Sequence, residues 1–173
     1  MERERVGPKI AQIGMALVRI LVDGYSLLHN WPELAPGKAR HSAVARDELI
    51  HILTRYQDAS GTPVTVVFDG SGSKRKRGEA SEAPPIEVLY SRAGQTADQM
   101  IERATHRLKE YGEVLVVTDD FAERDTVSSL GGMVASCVGF IQTIEHALAD
   151  LQREIKHHNR REQRRFKNPA ERD

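Results

Sequence analysis

Five short stretches of the chain are almost continuously aliphatic, and between them the apolar residues recur at helical spacing. Residues 17–22, 64–68 and 114–117 read as strands covered on both faces. Residues 86–90 form a third, shorter strand in chain order, and residues 133–136 a fifth after the Gly131-Gly132 turn. Over residues 42–59, Ala45, Leu49, Ile52, Leu53 and Tyr56 share one helical face, with Gly61 placed to end the helix. Thr96-Ala97-Asp98-Gln99 has the form of a capping box and opens a helix to about Tyr111, with Met100, Ile101, Ala104 and Leu108 on one side. A further helix follows Asp120 and runs to about Leu130. The last begins at Val138 with Phe140, Ile141, Ile144 and Leu148, and its apolar stripe thins beyond Gln152. Asp23-Gly24 and Asp69-Gly70 read as turns. Residues 30–40 and 71–85, with their prolines, read as loops.

Strands alternating with helices at these spacings imply β-α-β units, right-handed crossovers and a mostly parallel sheet. No internal repeat and no second domain is visible. Residues 1–14 lack periodicity and read as a disordered extension, residues 15–152 as the domain, and residues 153–173 as a basic tail. Met15 stands just before the first strand, so a start at that residue is an alternative.

Composition adds little to this picture and excludes several classes. The 173 residues are enough for one continuous core. A formal net charge of zero means that attraction to nucleic acid must come from local patches. The single cysteine, Cys137, rules out an intramolecular disulfide and a cysteine-based zinc cage. It lies in an apolar stretch and reads as a buried side chain, and a reducing cytoplasm is the expected compartment. The apolar run 10–22 is interrupted by Gln12 and Arg19 and is too short to span a bilayer, so no membrane is expected.

The candidate chemistry is acidic. Three strands run directly into aspartates, Asp23, Asp69 and Asp120, while Asp98 opens the helix after the third strand. In a parallel sheet these strand ends share one edge, where open α/β folds bind ligands. Carboxylates crowded there repel unless cations neutralise them. Oxygen donors without histidine or cysteine companions suit Mg²⁺ or Mn²⁺, which can activate water against a phosphodiester. Each acid also fits a local role. Asp23 and Asp69 fit turns, Asp98 a first helical turn, and Asp120 an N-cap with Glu123 completing a capping box; Glu102, one turn beyond Asp98, fits a solvated charge. Their coincidence on one edge carries the reading.

Val22-Asp23-Gly24-Tyr25, Val67-Phe68-Asp69, Thr96-Ala97-Asp98 with Ile101-Glu102, and Val117-Thr118-Asp119-Asp120 with Ala122-Glu123 resemble, in order, the motifs of YacP-type NYN domains. The resemblance spans about residues 17–148. It implies a three-layer α/β/α, PIN-like (Rossmann-like) fold and a metal-dependent endoribonuclease, in a family that includes enzymes acting on messenger RNA at the ribosome. Carried over by position, Asp23, Asp98 and Asp120 are the implied catalytic metal ligands; Asp69, Glu102, Ser26 and Asp119 are supporting residues. Two positions depart from the pattern: Ser26 replaces the usual asparagine and Arg124 a common glutamine. Asp119 stands where a small polar residue is usual.

Lys74, Arg75, Lys76 and Arg77 leave the second strand on the acidic edge and are candidates for holding RNA phosphates. The alternative is a solubilising loop. The arginine-rich stretch from Arg160 to Arg165 reads equally as an RNA or ribosomal grip and as a disordered end. His29 and Asn30 stand near the first motif without an assigned role, and His157-His158 lacks companions for a metal site. Trp31 beside Pro32 is expected to pack its loop, with stacking on a base as the alternative. Two other functions compete with the nuclease. A non-catalytic RNA- or ribosome-binding module would share the fold; a phosphoacceptor receiver would need an acidic pair after the first strand and a late lysine, and neither is present.

Overall fold

The computed structural model describes residues 17–70 and 86–167, so the N-terminal extension and the basic run Lys74, Arg75, Lys76 and Arg77 lie outside the described residues. Five parallel strands form one sheet: β1 (Leu17–Asp23), β2 (Val64–Phe68), β3 (Glu87–Tyr90), β4 (Glu113–Val117) and β5 (Met133–Ala135), in the spatial order β3-β2-β1-β4-β5. The helices are α1 (Gly24–His29), α2 (Ala43–Ser60), α3 (Ala97–Leu108), α4 (Phe121–Ser129) and α5 (Cys137–Lys167). The result is the α/β fold that the alternation of strands and helices implies.

Strand side chains alternate between two apolar layers, as a period of two requires. Ile20 and Val22 of β1, with Leu115 and Val117 of β4, join the larger cluster containing Leu49 and Leu53 of α2 and Phe140 and Ile144 of α5. Leu21, Val114 and Val116 face the opposite way and pack with Ile101 of α3 and Val127 of α4. The rings of Tyr56 and Phe140 meet edge-on at 5.4 Å, joining α2 to α5. Local signals match the observed ends. Ser42 caps α2, Gly61 ends it at φ 72°, and both halves of the Thr96/Gln99 capping box form.

The chain departs from expectation at three places. Asp23-Gly24 is no turn: β1 runs straight into α1, with Asp23 as N-cap. Gly24 is required for close packing, because a Cβ there would collide with the Phe68 ring. α3 closes at Leu108, and Tyr111 lies exposed beyond it. α5 does not stop near Gln152 but continues to Lys167, so the described part of the basic tail is helical. Beyond Leu148 its side chains are nearly all exposed. Good helix formers and the Asp150–Arg153 and Glu162–Arg165 pairs sustain the helix where the apolar stripe has ended.

The order of the strands fixes where a site can form. From central β1 the chain winds outward through β2 and β3, then returns to the other side of β1 as β4. That reversal, beside β1, is where open α/β sheets place their ligand sites, at the carboxyl edge.

Candidate metal centre

β1 ends at Asp23, whose side chain turns back to cap α1. Its Oδ1 accepts from the Ser26 backbone N–H at 3.3 Å and its Oδ2 from the Ser26 hydroxyl at 3.2 Å. Ser26 thus holds both oxygens of Asp23, through its backbone N–H and its hydroxyl. Asp98 enters from the first turn of α3, and Glu123 from the first turn of α4. One carboxylate oxygen from each of Asp23, Asp98 and Glu123 lies within 4.8 Å of the others.

The electrostatics of this trio are unfavourable in isolation. Burial raises Asp23 to about 6 despite the Ser26 hydrogen bonds, and the charges of Asp98 and Asp69 add to the rise. Asp98 is raised by burial and by the charge of Asp120. Glu123, only 2% exposed, is pushed up to about 8, mainly by burial, with the Thr118 hydroxyl opposing and Asp23 and Asp98 adding to the effect. Neither oxygen of Glu123 receives a hydrogen bond. A buried carboxylate left this way costs several kcal/mol unless it takes a proton or meets a cation. Without a cation, burial and the neighbouring charges of Asp23 and Asp98 favour the protonated form of Glu123. Three oxygen donors, one of them buried and orphaned, are the chemistry a hard divalent ion fits.

The other acids on this edge place the trio. Asp69 accepts from the Ala97 backbone N–H at 2.7 Å and from the Ser91 hydroxyl at 3.3 Å, tying the end of β2 to the start of α3. Asp120 caps α4, its Oδ1 accepting from Ala122 N–H at 2.9 Å and Glu123 N–H at 3.1 Å. Asp119 accepts from Cys137 N–H at 2.9 Å and holds the start of α5. Glu102 sits one turn along α3, half-buried and outside the trio.

Against the sequence-based assignment, Asp23 and Asp98 come together, but the third carboxylate beside them is Glu123 rather than Asp120. Asp120 is exposed and committed to its cap, yet close enough for its charge to bear on Asp98. The expected capping box forms only in half, because Glu123 turns inward instead of reaching back to the cap. One signal was present in the sequence. Glu123 and Val127 are four residues apart, so Glu123 falls on the buried stripe of α4.

Trp31 is 6% exposed and packs its loop, as expected. Nearby, the Arg40 guanidinium contacts His29 Nδ1 at 2.6 Å. Cys137 is buried and its thiol is pushed up to about 12, mainly by burial and also by Asp119, so it stays protonated and is no nucleophile. Among the described residues no helix is long and apolar enough to cross a membrane.

With this geometry, the family model for the YacP-like NYN domain matches residues 20–173. The protein YacP of Bacillus subtilis (strain 168) is 30% identical over 141 residues, covering 79% of this chain and 81% of that protein. The crystal structure of Rae1 (YacP) from Bacillus subtilis superposes with a TM-score of 0.71 at 27% identity, covering 91% of this chain and 90% of that one. A single-substitution mutant of the same protein gives 0.69 at 28% identity, covering 83% and 84%.

Proposed function

The chain belongs to the YacP-like NYN domain family, and from that premise we propose that it is a divalent-metal-dependent endoribonuclease hydrolysing RNA phosphodiester bonds at the carboxyl edge of its sheet. The observation that carries the reading is the buried Glu123 carboxylate, without a hydrogen bond, facing Asp23 and Asp98. A fold seldom retains a cost of this kind unless the site uses it.

Asp23, Asp98 and Glu123 would hold Mg²⁺ or Mn²⁺. When bound, the ion would supply Lewis-acid stabilisation of phosphate charge and a lowered pKa for water. The protein's own residues do the rest. Ser26 fixes the rotamer of Asp23 through both of its oxygens. Asp69 and Asp120 hold the first turns of α3 and α4, which deliver Asp98 and Glu123. Because burial favours the protonated carboxyls of Asp23 and Glu123, a bound cation would displace protons, and affinity for the ion would rise with pH. The basic residues Lys74, Arg75, Lys76 and Arg77 follow β2 in the sequence and would hold substrate phosphates. A cytoplasmic setting and substrate presented on ribosomes are the remaining parts of the proposal.

The test is cleavage of single-stranded RNA in Mg²⁺ or Mn²⁺, with and without ribosomes, by wild type, Asp98→Asn and Glu123→Gln. Metal-dependent cleavage by wild type that collapses in both variants is expected. Full-rate cleavage by the double variant would refute the site.

A further inference from the structure

Phe121 is the first residue of α4, bonded to the capping Asp120 and two residues before the inward-turning Glu123. Its side chain is 78% exposed, on the same edge of the sheet as the carboxylates. Single exposed apolar residues are common and carry no meaning alone. Two observations set this one apart. It stands on the rim of the acidic cluster, whereas Tyr111, exposed to a similar degree, follows α3 at the opposite edge of the sheet. Its ring also has a cationic companion, since the Arg124 guanidinium carbon lies 6.0 Å from the ring centroid. A guanidinium beside a ring face holds the ring's orientation through cation–π attraction and leaves its remaining surface free.

We propose that Phe121, held by Arg124, is a stacking platform for an unpaired base of the RNA strand entering the carboxylate cluster. An aromatic face binds any base, because every base has a π-face, while duplex RNA keeps its bases stacked and out of reach. The platform therefore selects single-stranded substrate without selecting sequence. Arg124, adjacent to the strand's path, adds positive charge on an edge otherwise crowded with acids. This inference deepens the nuclease reading and assigns it a substrate class.

The experiment separates the two. Trp31, the only tryptophan, is buried and gives a constant background, so Phe121→Trp places a reporter at the platform. Titration of this variant with a single-stranded RNA decamer, without divalent metal, is expected to quench its emission; the same decamer in a duplex is not. Phe121→Ala is expected to raise KM and the dissociation constant by about tenfold, with the loss in binding rather than in kcat. Tyr111→Ala is expected to change neither. Quenching by single strand but no metal-dependent cleavage would retain the platform and remove the nuclease. Asp98-dependent cleavage with unchanged KM and binding in Phe121→Ala, or equal quenching by duplex, would overturn the platform and leave the nuclease standing.

Discussion

Where the strands begin, acids meet cations: Glu87 lies 4.0 Å from Arg19, and Glu113 lies 3.1 Å from Lys109. Where they end, Asp23, Asp98 and Glu123 meet one another, and none of the ion pairs among the described residues reaches them. The first edge is neutralised locally, each acid beside a cation and partly open to solvent, where such pairs contribute modestly. The second concentrates like charge and withdraws it from solvent. The difference separates acids that decorate a surface from acids that oppose folding until something else arrives.

The contrast breaks most severely if the acidic edge proves inert. Asp98→Asn is expected to lower metal-dependent RNA cleavage at least about a hundredfold, beyond the effect of outer-sphere changes, while far-UV circular dichroism stays unchanged. Retention of wild-type rate would make the cluster a structural oddity.

Stability against pH sharpens it next. Glu123 has a folded value of about 8 against 4.5 in the unfolded chain, and Asp23 about 6 against 3.8. Both are raised, so in between the folded state keeps protons that the unfolded state releases. Stability is full at low pH and falls as pH climbs toward 8, by an amount on the order of a few kcal/mol. Denaturant midpoints in EDTA should decline from pH 5 to 8, Mn²⁺ should restore them, and Glu123→Gln should flatten the slope. A flat wild-type profile would mean that the carboxylates are better solvated than the structure has them.

Asp120 divides the capping role from the ligand role. Serine caps a helix about as well as aspartate, so Asp120→Ser should cost under about 1 kcal/mol and keep cleavage within about tenfold of wild type, whereas Asp120→Ala should destabilise by about 1 kcal/mol. A collapse of Asp120→Ser to the level of Asp98→Asn would return Asp120 to the ligand set. The smallest effect belongs to the opposite edge. Glu113→Gln should lower unfolding stability by less than about 1 kcal/mol in denaturant titrations and leave cleavage unchanged.

Most of the architecture was legible in the sequence because it follows from local rules. Aliphatic runs bounded by Asp-Gly and Gly-Gly, a helical stripe ending at Gly61, and a complete capping box at Thr96 are short-range signals, and the structure honours them. The misreadings also share a cause. Asp23-Gly24 has the composition of a turn, and only the Phe68 ring against Gly24 explains the glycine otherwise. The far half of α5 has no buried face, so its apolar pattern stops while the helix does not.

By itself the sequence determined that acids terminate the strands and that parallel strands gather their ends on one edge, which suffices to bring Asp23 and Asp98 near each other. It could not decide between Asp120 and Glu123. That choice depends on the rotation of α4 about its axis as Val127 seats against the sheet, which leaves Asp120 at the rim as a cap and sends Glu123 into the interior. Three residues along a helix change direction by most of a turn. Only packing against the rest of the fold fixes which of the two points at the cluster.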